Sequence, residues 1–348
     1  MREGRLGVPG ESSVGNERAL RPGDLVEVRP AAEILATLDE DGRLESVPFM
    51  PEMLQYVGRR FTVDRRVEKI CDTISQTGSR RMEGTVYLED LRCDGSGHDG
   101  CQAGCRIYWK EAWLRHVADG SAPTFDDAPV GAPELDQLTR RGARTLRVLD
   151  GATEEVWRCQ ATEALAATEP LKTSNPSQYW RELASGNVRV LHFLRAIASS
   201  AFFELAVRSG RKHRMPLLGT GDTPDRPPLD LSPGDVVRVR SPEEIRATLD
   251  SSGLNRGLSF DREMLPHCGR TYRVQARVRR IVDDRTGRII DISRDCIILE
   301  GVVCSGERTV GCWFCPRAIY SYWREAWLER VEDRAHPARH DAGTTRPT

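Results

Sequence analysis

Lysine is almost missing from this chain of 348 residues: it stands only at positions 69, 110, 172 and 212, so arginine carries nearly all the positive charge. Arginine suits bidentate recognition of carboxylate or phosphate, but an arginine-biased surface with interspersed charges has the same composition. An excess of either sign is missing too, with 51 basic residues against 52 acidic ones, so global charge does not direct the chain to nucleic acid or anionic lipid. No run of 18 uncharged apolar residues occurs, so no clear membrane span is expected. The first twenty residues lack the apolar core of a secretory signal, which leads to the expectation of a cytoplasmic protein. Phosphate loop, dinucleotide glycine fingerprint, Gly-x-Ser-x-Gly elbow and His-Glu-x-x-His helix are all missing, so no common catalytic motif points to an enzyme.

What the chain does have is a duplication. Pro22-Gly23-Asp24 returns as Pro233-Gly234-Asp235, an offset of 211. At that offset Phe49 meets Phe260, Glu52-Met53-Leu54 meets Glu263-Met264-Leu265, Gly58-Arg59 meets Gly269-Arg270, and Cys93 meets Cys304. The register then slips by three, and Trp109-Lys110-Glu111-Ala112-Trp113-Leu114 meets Trp323-Arg324-Glu325-Ala326-Trp327-Leu328. The expected organisation is a disordered leader (1–20), a first repeat (21–118), a linker (119–133), a helical region (134–215), a second linker (216–229), a second repeat (230–332) and a disordered tail (333–348).

Each repeat opens as short β-branched strands after a Pro-Gly-Asp turn (25–29 and 236–240), followed by a short helix (31–38 and 242–249). Further strands are expected at 60–67, 86–91, 271–278 and 297–303, with a turn at 283–287 ahead of a strand at 288–292. Each repeat is expected to end on a helix (107–117 and 319–331), because its tryptophans lie four apart and would share one face. Between the repeats, periodicity predicts helices at 154–167, 176–184 and 188–209. The fold class is therefore α+β: two small SH3-like β-barrel repeats, each with a four-cysteine metal-binding extension and a C-terminal helix, flanking a helical region.

Ten cysteines in a reducing compartment point to metal ligands, catalytic groups or buried thiols before disulfides. Three positions pair between the repeats: Cys93 with Cys304, Cys101 with Cys312, and Cys105 with Cys315 after the slip. The spacings Cys101-x3-Cys105 and Cys312-x2-Cys315 let two thiolates face one ion from a tight turn. The fourth ligand has no matching position. Cys71 corresponds to Val282 and Cys296 to Thr85, so the ligand could have moved between strands if residues 71 and 85 face each other. Two sites are expected, Cys71/Cys93/Cys101/Cys105 and Cys296/Cys304/Cys312/Cys315, with His98 as a rival donor in the first. Zinc is the expected ion. An iron–sulfur cluster is the alternative, and a redox dithiol at Cys312-Trp313-Phe314-Cys315 a third. Cys159 and Cys268 read as buried thiols. A four-thiolate site leaves no open coordination position, so it would be structural.

Glu52 and Glu263 are candidate functional acids, with helix capping or pairing to Arg59 or Arg270 as the alternative. The apolar segment at 188–214 ends in Arg208, Arg211, Lys212, His213 and Arg214. It could contact a membrane peripherally or pack between the repeats.

The chain resembles uncharacterised bacterial proteins in which a duplicated cysteine-rich SH3-like barrel flanks a helical insert. The Pro-Gly-Asp opening, the Glu-Met-Leu segment and the Cys…Cys…Trp-x-Glu-Ala-Trp ending carry the resemblance, which brings no activity with it. The expected function is a zinc-binding tandem-repeat protein, acting as a binding or assembly module for a protein or small-molecule partner through paired barrel surfaces. The alternatives are an iron–sulfur or metal-dependent enzyme of a biosynthetic pathway, with Glu52, Glu263 or His98 near the cluster, and binding of RNA or single strands through Arg65, Arg66, Arg277, Arg279 and Arg280.

Overall fold

In a computed structural model, residues 18–117, 132–172, 175–211, 217–219, 227–308 and 313–331 are described. The expected tail, most of the leader and of both linkers, the basic segment 212–214, and Cys312 lie outside them. The protein is mixed α+β and is built mainly from antiparallel sheets.

The duplication is carried into the backbone. One five-stranded sheet runs in the order Trp109–Lys110, Thr85–Leu88, Arg60–Arg66, Leu25–Val28, Leu114–His116. The other runs Tyr320–Trp323, Ile297–Val303, Thr271–Arg277, Val236–Val239, Leu328–Arg330. Registers match as well: Leu25 faces Thr62 as Val236 faces Arg273, and Val26 faces His116 as Val237 faces Arg330. An irregularity falls at Val63/Arg65 in one and at Val274/Ala276 in the other.

The helices expected at 107–117 and 319–331 are not formed. Each segment is a strand, a single 3₁₀ turn (Glu111–Trp113, Glu325–Trp327) and a second strand. One tight turn between two short strands also brings residues four apart to the same side, so the spacing did not discriminate. The glutamate of each turn is engaged away from the turn: Glu111 accepts from Leu20 N–H and Arg66, and Glu325 from Leu229 N–H, Leu231 N–H and Arg277. The tryptophans form the centre of each core. Trp109 and Trp113 are fully buried with Phe49 set edge-on to both, at 6.2 and 5.1 Å between centroids. Phe260 meets Trp323 and Trp327 the same way, at 6.2 and 5.4 Å. Trp113 and Trp327 each donate their indole N–H to a threonine, Thr37 and Thr248, at 3.0 Å.

The central region is less helical than expected. Helices occupy Ala132–Gly142, Ser177–Ala184 and Val190–Arg208. The helix expected at 154–167 is instead the second strand of a hairpin, Arg144–Leu149 with Ala152–Trp157, followed by turns. Asp150 and Gly151 both adopt positive φ at the hairpin's tip, as a two-residue turn of this kind requires. The region is also built into its neighbours. Ala132–Gly142 packs on Ala31–Leu35, and Glu169–Leu171 pairs with Ser79–Arg81 of the first repeat.

Each repeat sends a further hairpin away from its sheet: Lys69–Cys71 with Ser79–Arg81, and Arg280–Val282 with Ile289–Asp291. These two hairpins meet. Thr73 Oγ1 donates to Asp284 Oδ2 at 2.8 Å, and Arg285 Nη2 donates to the Ile74 carbonyl at 2.7 Å. Both contacts join positions related by the repeat offset of 211, as an approximate twofold axis demands.

Candidate functional site

The repeated glutamate anchors the loop that follows the third strand of each sheet. Glu52 lies at the start of the 3₁₀ turn Pro51–Tyr56 and is buried. Its Oε1 accepts from Gly97 N–H (3.1 Å), from His98 Nδ1 (2.6 Å) and from the Cys93 thiol (3.5 Å). Glu263 does the same in the second repeat, accepting from Ser305 N–H (3.1 Å), Ser305 Oγ (2.6 Å) and Arg308 N–H (2.6 Å). Burial alone would raise the Glu52 carboxyl, but the hydrogen bond and charge of His98 bring it below the usual range. His98 Nε2 faces the Arg158 carbonyl at 3.0 Å. Both ring nitrogens thus face oxygen atoms, the Glu52 carboxylate on one side and the Arg158 carbonyl on the other. The ligand atoms of Glu52, Cys93 and His98 do lie within 4.8 Å of one another, a group whose composition could hold an ion. Glu52 Oε2 is buried with no hydrogen-bond partner among the described residues.

Beside this network four thiols share one pocket. Cys93, Cys101, Cys105 and Cys159 line a cavity of about 50 Å³ with His98, Tyr87, Tyr108, Arg317 and Val282. Burial pushes the Cys93 thiol up, with Glu52 and Cys105 adding to the shift, and raises Cys105 as well. Cys159 is pushed up to about 12 by burial, with the nearby Cys105 and Cys101 contributing. Burial thus disfavours the thiolate form of Cys93, Cys105 and Cys159. A divalent cation reverses that balance, since a coordinated thiol is deprotonated.

Cys71 is not in this pocket. It pairs with Ser79 in the projecting hairpin, whereas Thr85 pairs with Lys110 in the main sheet, so residues 71 and 85 do not face each other. Cys71 instead lies against Cys315 of the second repeat, with its backbone N–H donating to Cys315 Sγ at 3.1 Å. Its thiol is lowered to about 6, first by a hydrogen bond with Cys315 and then by the Arg317 guanidinium, while burial pushes Cys315 up. Cys304 is raised to about 12 by burial, and Cys71 is among its charged neighbours. Cys296 stands apart, packed with Val278 and Ile298 at the far end of the strand Ile297–Val303 from Cys304. At about 3.3 Å per residue the eight steps between the two cysteines span up to roughly 26 Å. Cys268 packs on the second core.

The backbone also revises the pairing of cysteines between repeats. Cys93 N–H donates to the Cys105 carbonyl (2.8 Å) as Cys304 N–H donates to the Ile319 carbonyl (2.7 Å). Gly100 N–H reaches the Gly95 carbonyl (3.0 Å) as Phe314 N–H reaches that of Gly306 (2.9 Å). Cys105 is therefore the counterpart of Ile319, and Cys101 that of Cys315. The three-residue slip falls inside the cysteine loop rather than after it.

Other sequence candidates are placed as follows. Arg66 pairs with Glu68 and Glu111, Arg277 with Glu325, and Arg280 with Asp99 and Asp291, so these cations are committed within the fold. The helix Val190–Arg208 is long and apolar enough to cross a membrane by length and composition, and exposes Val190, Leu191, Leu194, Phe202 and Leu205. Its inner side rests on the second cysteine loop, where Phe193 stacks on Phe314 at 5.4 Å and His192 pairs with Glu307 at 2.9 Å. Cys159 and Arg317 were missed as site residues. Neither has a repeated counterpart or a motif spacing that would have singled it out. No family model, curated protein or solved structure matches the chain.

Proposed function

We propose that this is a zinc-binding tandem-repeat protein whose metal is structural, and that it serves as a binding or assembly module. The observation that carries the reading is that Cys93, Cys101, Cys105 and Cys159 all line one small pocket, although no three of their sulfurs lie within 4.8 Å of one another without the ion. These four residues would hold the ion. A sulfur-only donor set suits zinc, and when bound the zinc supplies cross-linking of the loop without an open position for substrate. Glu52 and His98 act behind the thiols, fixing the loop through Gly97 and the Arg158 carbonyl. Metal would thus join the first repeat to the central segment that carries Cys159.

Each repeat is read as an SH3-like barrel. Support comes from a five-stranded order in which the last strand returns beside the first, and from a 3₁₀ turn between the final two strands. Paired barrels offer paired surfaces, which favours a protein or small-molecule partner over chemistry; this step is an analogy of fold. A cytoplasmic setting belongs to the same proposal, because reducing conditions keep the thiols available. An iron–sulfur cluster is the second reading, favoured by the same sulfur-only donors.

The reading predicts that Cys159→Ser lowers bound zinc by about one equivalent relative to the native chain, while Cys268→Ser and Cys296→Ser leave it unchanged. Elemental analysis of the folded variants checks this. Full zinc retention by Cys159→Ser would remove the proposed ligand set, and iron with acid-labile sulfide would replace zinc by a cluster.

A further inference from the structure

We infer that the helix Val190–Arg208 is a membrane-contact element that lies flat on an anionic lipid surface, with its outer apolar face among the acyl chains and its arginines against the headgroup charges. Such contact needs no bound metal, so it stands apart from the zinc reading.

The helix is apolar on two opposite sides. Inward, Ala196 and Phe203 are buried, Phe193 stacks on Phe314 at 5.4 Å between centroids, and the Arg262 guanidinium lies 3.2 Å from the Phe203 ring centroid. Outward, Leu191, Leu194, Ala198, Phe202 and Leu205 recur at steps of three and four, so they form one stripe. All five are exposed, Leu191 to 71% and Phe202 to 70%. A helix that is apolar all round is ordinarily covered all round. Here the second repeat covers one side and leaves the other open along about 28 Å of helix.

Topology argues against a crossing. Just ahead of the helix, the Asn187 side chain exchanges two hydrogen bonds of 2.9 Å with the backbone of Arg66, and after it Leu217 is buried in the second core. Both ends therefore return to one body. A spanning helix would oblige residues 209–216 to recross a hydrocarbon layer about 30 Å thick while carrying Arg211, Lys212, His213 and Arg214. The helix has the length of a span but is held on one side, which leaves the plane of the interface.

Charge selects lipid over a second copy of the chain. Arg189, Arg195, Arg208 and Arg211 are exposed and make no ion pair among the described residues. Against them the helix carries one acidic residue, Glu204. Cations at a helix C-terminus complement its dipole, which accounts for Arg208 and Arg211. Arg189 precedes the first turn and Arg195 stands within the helix, so the dipole accounts for neither. In a twofold contact the same face meets itself, and a second copy would set arginine against arginine. An anionic leaflet supplies the opposite charge, and the sequence continues with the same sign through Lys212 and Arg214.

The test is co-flotation of the full-length chain with vesicles of phosphatidylcholine alone, or of phosphatidylcholine and phosphatidylserine in about a 3:1 ratio. Binding to the phosphatidylserine vesicles is expected, weakening as salt rises, with about tenfold weaker binding to phosphatidylcholine alone. Leu191→Glu with Phe202→Glu should weaken vesicle binding by about tenfold or more, and Arg208→Glu with Arg211→Glu by a similar factor. Both pairs are exposed, so the thermal unfolding midpoint of each variant should match that of the native chain. Folded variants that bind like the native chain would overturn the assignment, and equal native binding to both compositions would overturn the role of the arginines. A native chain that binds neither vesicle would overturn it as well. If that chain sediments as a dimer which Leu191→Glu with Phe202→Glu converts to a monomer, the face belongs to a second copy instead.

Discussion

Glu182 is fully buried in the helix Ser177–Ala184, with one oxygen accepting from Asn187 Nδ2 at 2.8 Å and the other without a partner among the described residues. Burial pushes its carboxyl up to about 7, against the pull of Asn187 and Lys69. Between the ordinary carboxylate range and that value the folded chain holds a proton that the unfolded chain has released. The associated stability is fully present below the unfolded pKa and is lost as pH rises through about 7. A shift of this size corresponds to about 3 kcal/mol. Urea unfolding of the native chain should therefore weaken from mildly acid to mildly alkaline pH more than that of Glu182→Gln, which cannot titrate. Equal pH slopes in the two proteins would contradict the assignment. Legibility at this scale was uneven. The repeated glutamates and most of the cysteines stand out in the sequence because the chain shows them twice. What each glutamate does was not readable, since the partners the two repeats share are backbone N–H groups, Gly97 and its counterpart Arg308, which carry no residue signature. Cys159 has no counterpart, and its role depends on where the central segment folds back.

At the level of elements, periodicity misled wherever two structures share a spacing. Tryptophans four apart fit a helix, and they fit a strand, a 3₁₀ turn and a strand equally well. The stretch 154–167 held enough apolar residues for a helix, yet the Asp150-Gly151 pair just before it is a hairpin signal, and the backbone follows that signal. The strands that flank the Pro-Gly-Asp turns were legible because β-branched runs bounded by turn residues have few alternatives. The long central helix was legible too, but not its partner. Its inner residue Phe193 stacks on Phe314, whereas Leu194 is 57% exposed. Leu194→Glu should change unfolding free energy by less than about 0.5 kcal/mol, while Phe193→Ala should cost about 1–2 kcal/mol. Comparable losses for both in chemical denaturation would mean that the outer face is covered in solution.

On the scale of the whole molecule, the two repeats relate to each other as the halves of a dimer joined in one chain. Counterpart residues touch across the axis at the hairpin tips, and each repeat reaches over to the other's cysteine loop. The central segment breaks the symmetry, adding a strand to one hairpin and placing Trp157 against Gly287 of the other. None of this could be read from the duplication alone, because sequence offset says which residues correspond and not which ones meet. The same limit explains why the sequence grouped Cys71 with the cysteines of its own repeat, whereas its backbone N–H meets Cys315 of the other. The central claim is that the thiols lining the pocket hold metal. Its most direct test is the metal content and visible spectrum of the full-length protein purified without oxygen. About one zinc per chain and no visible absorption are predicted; a folded chain containing neither zinc nor iron would contradict the account.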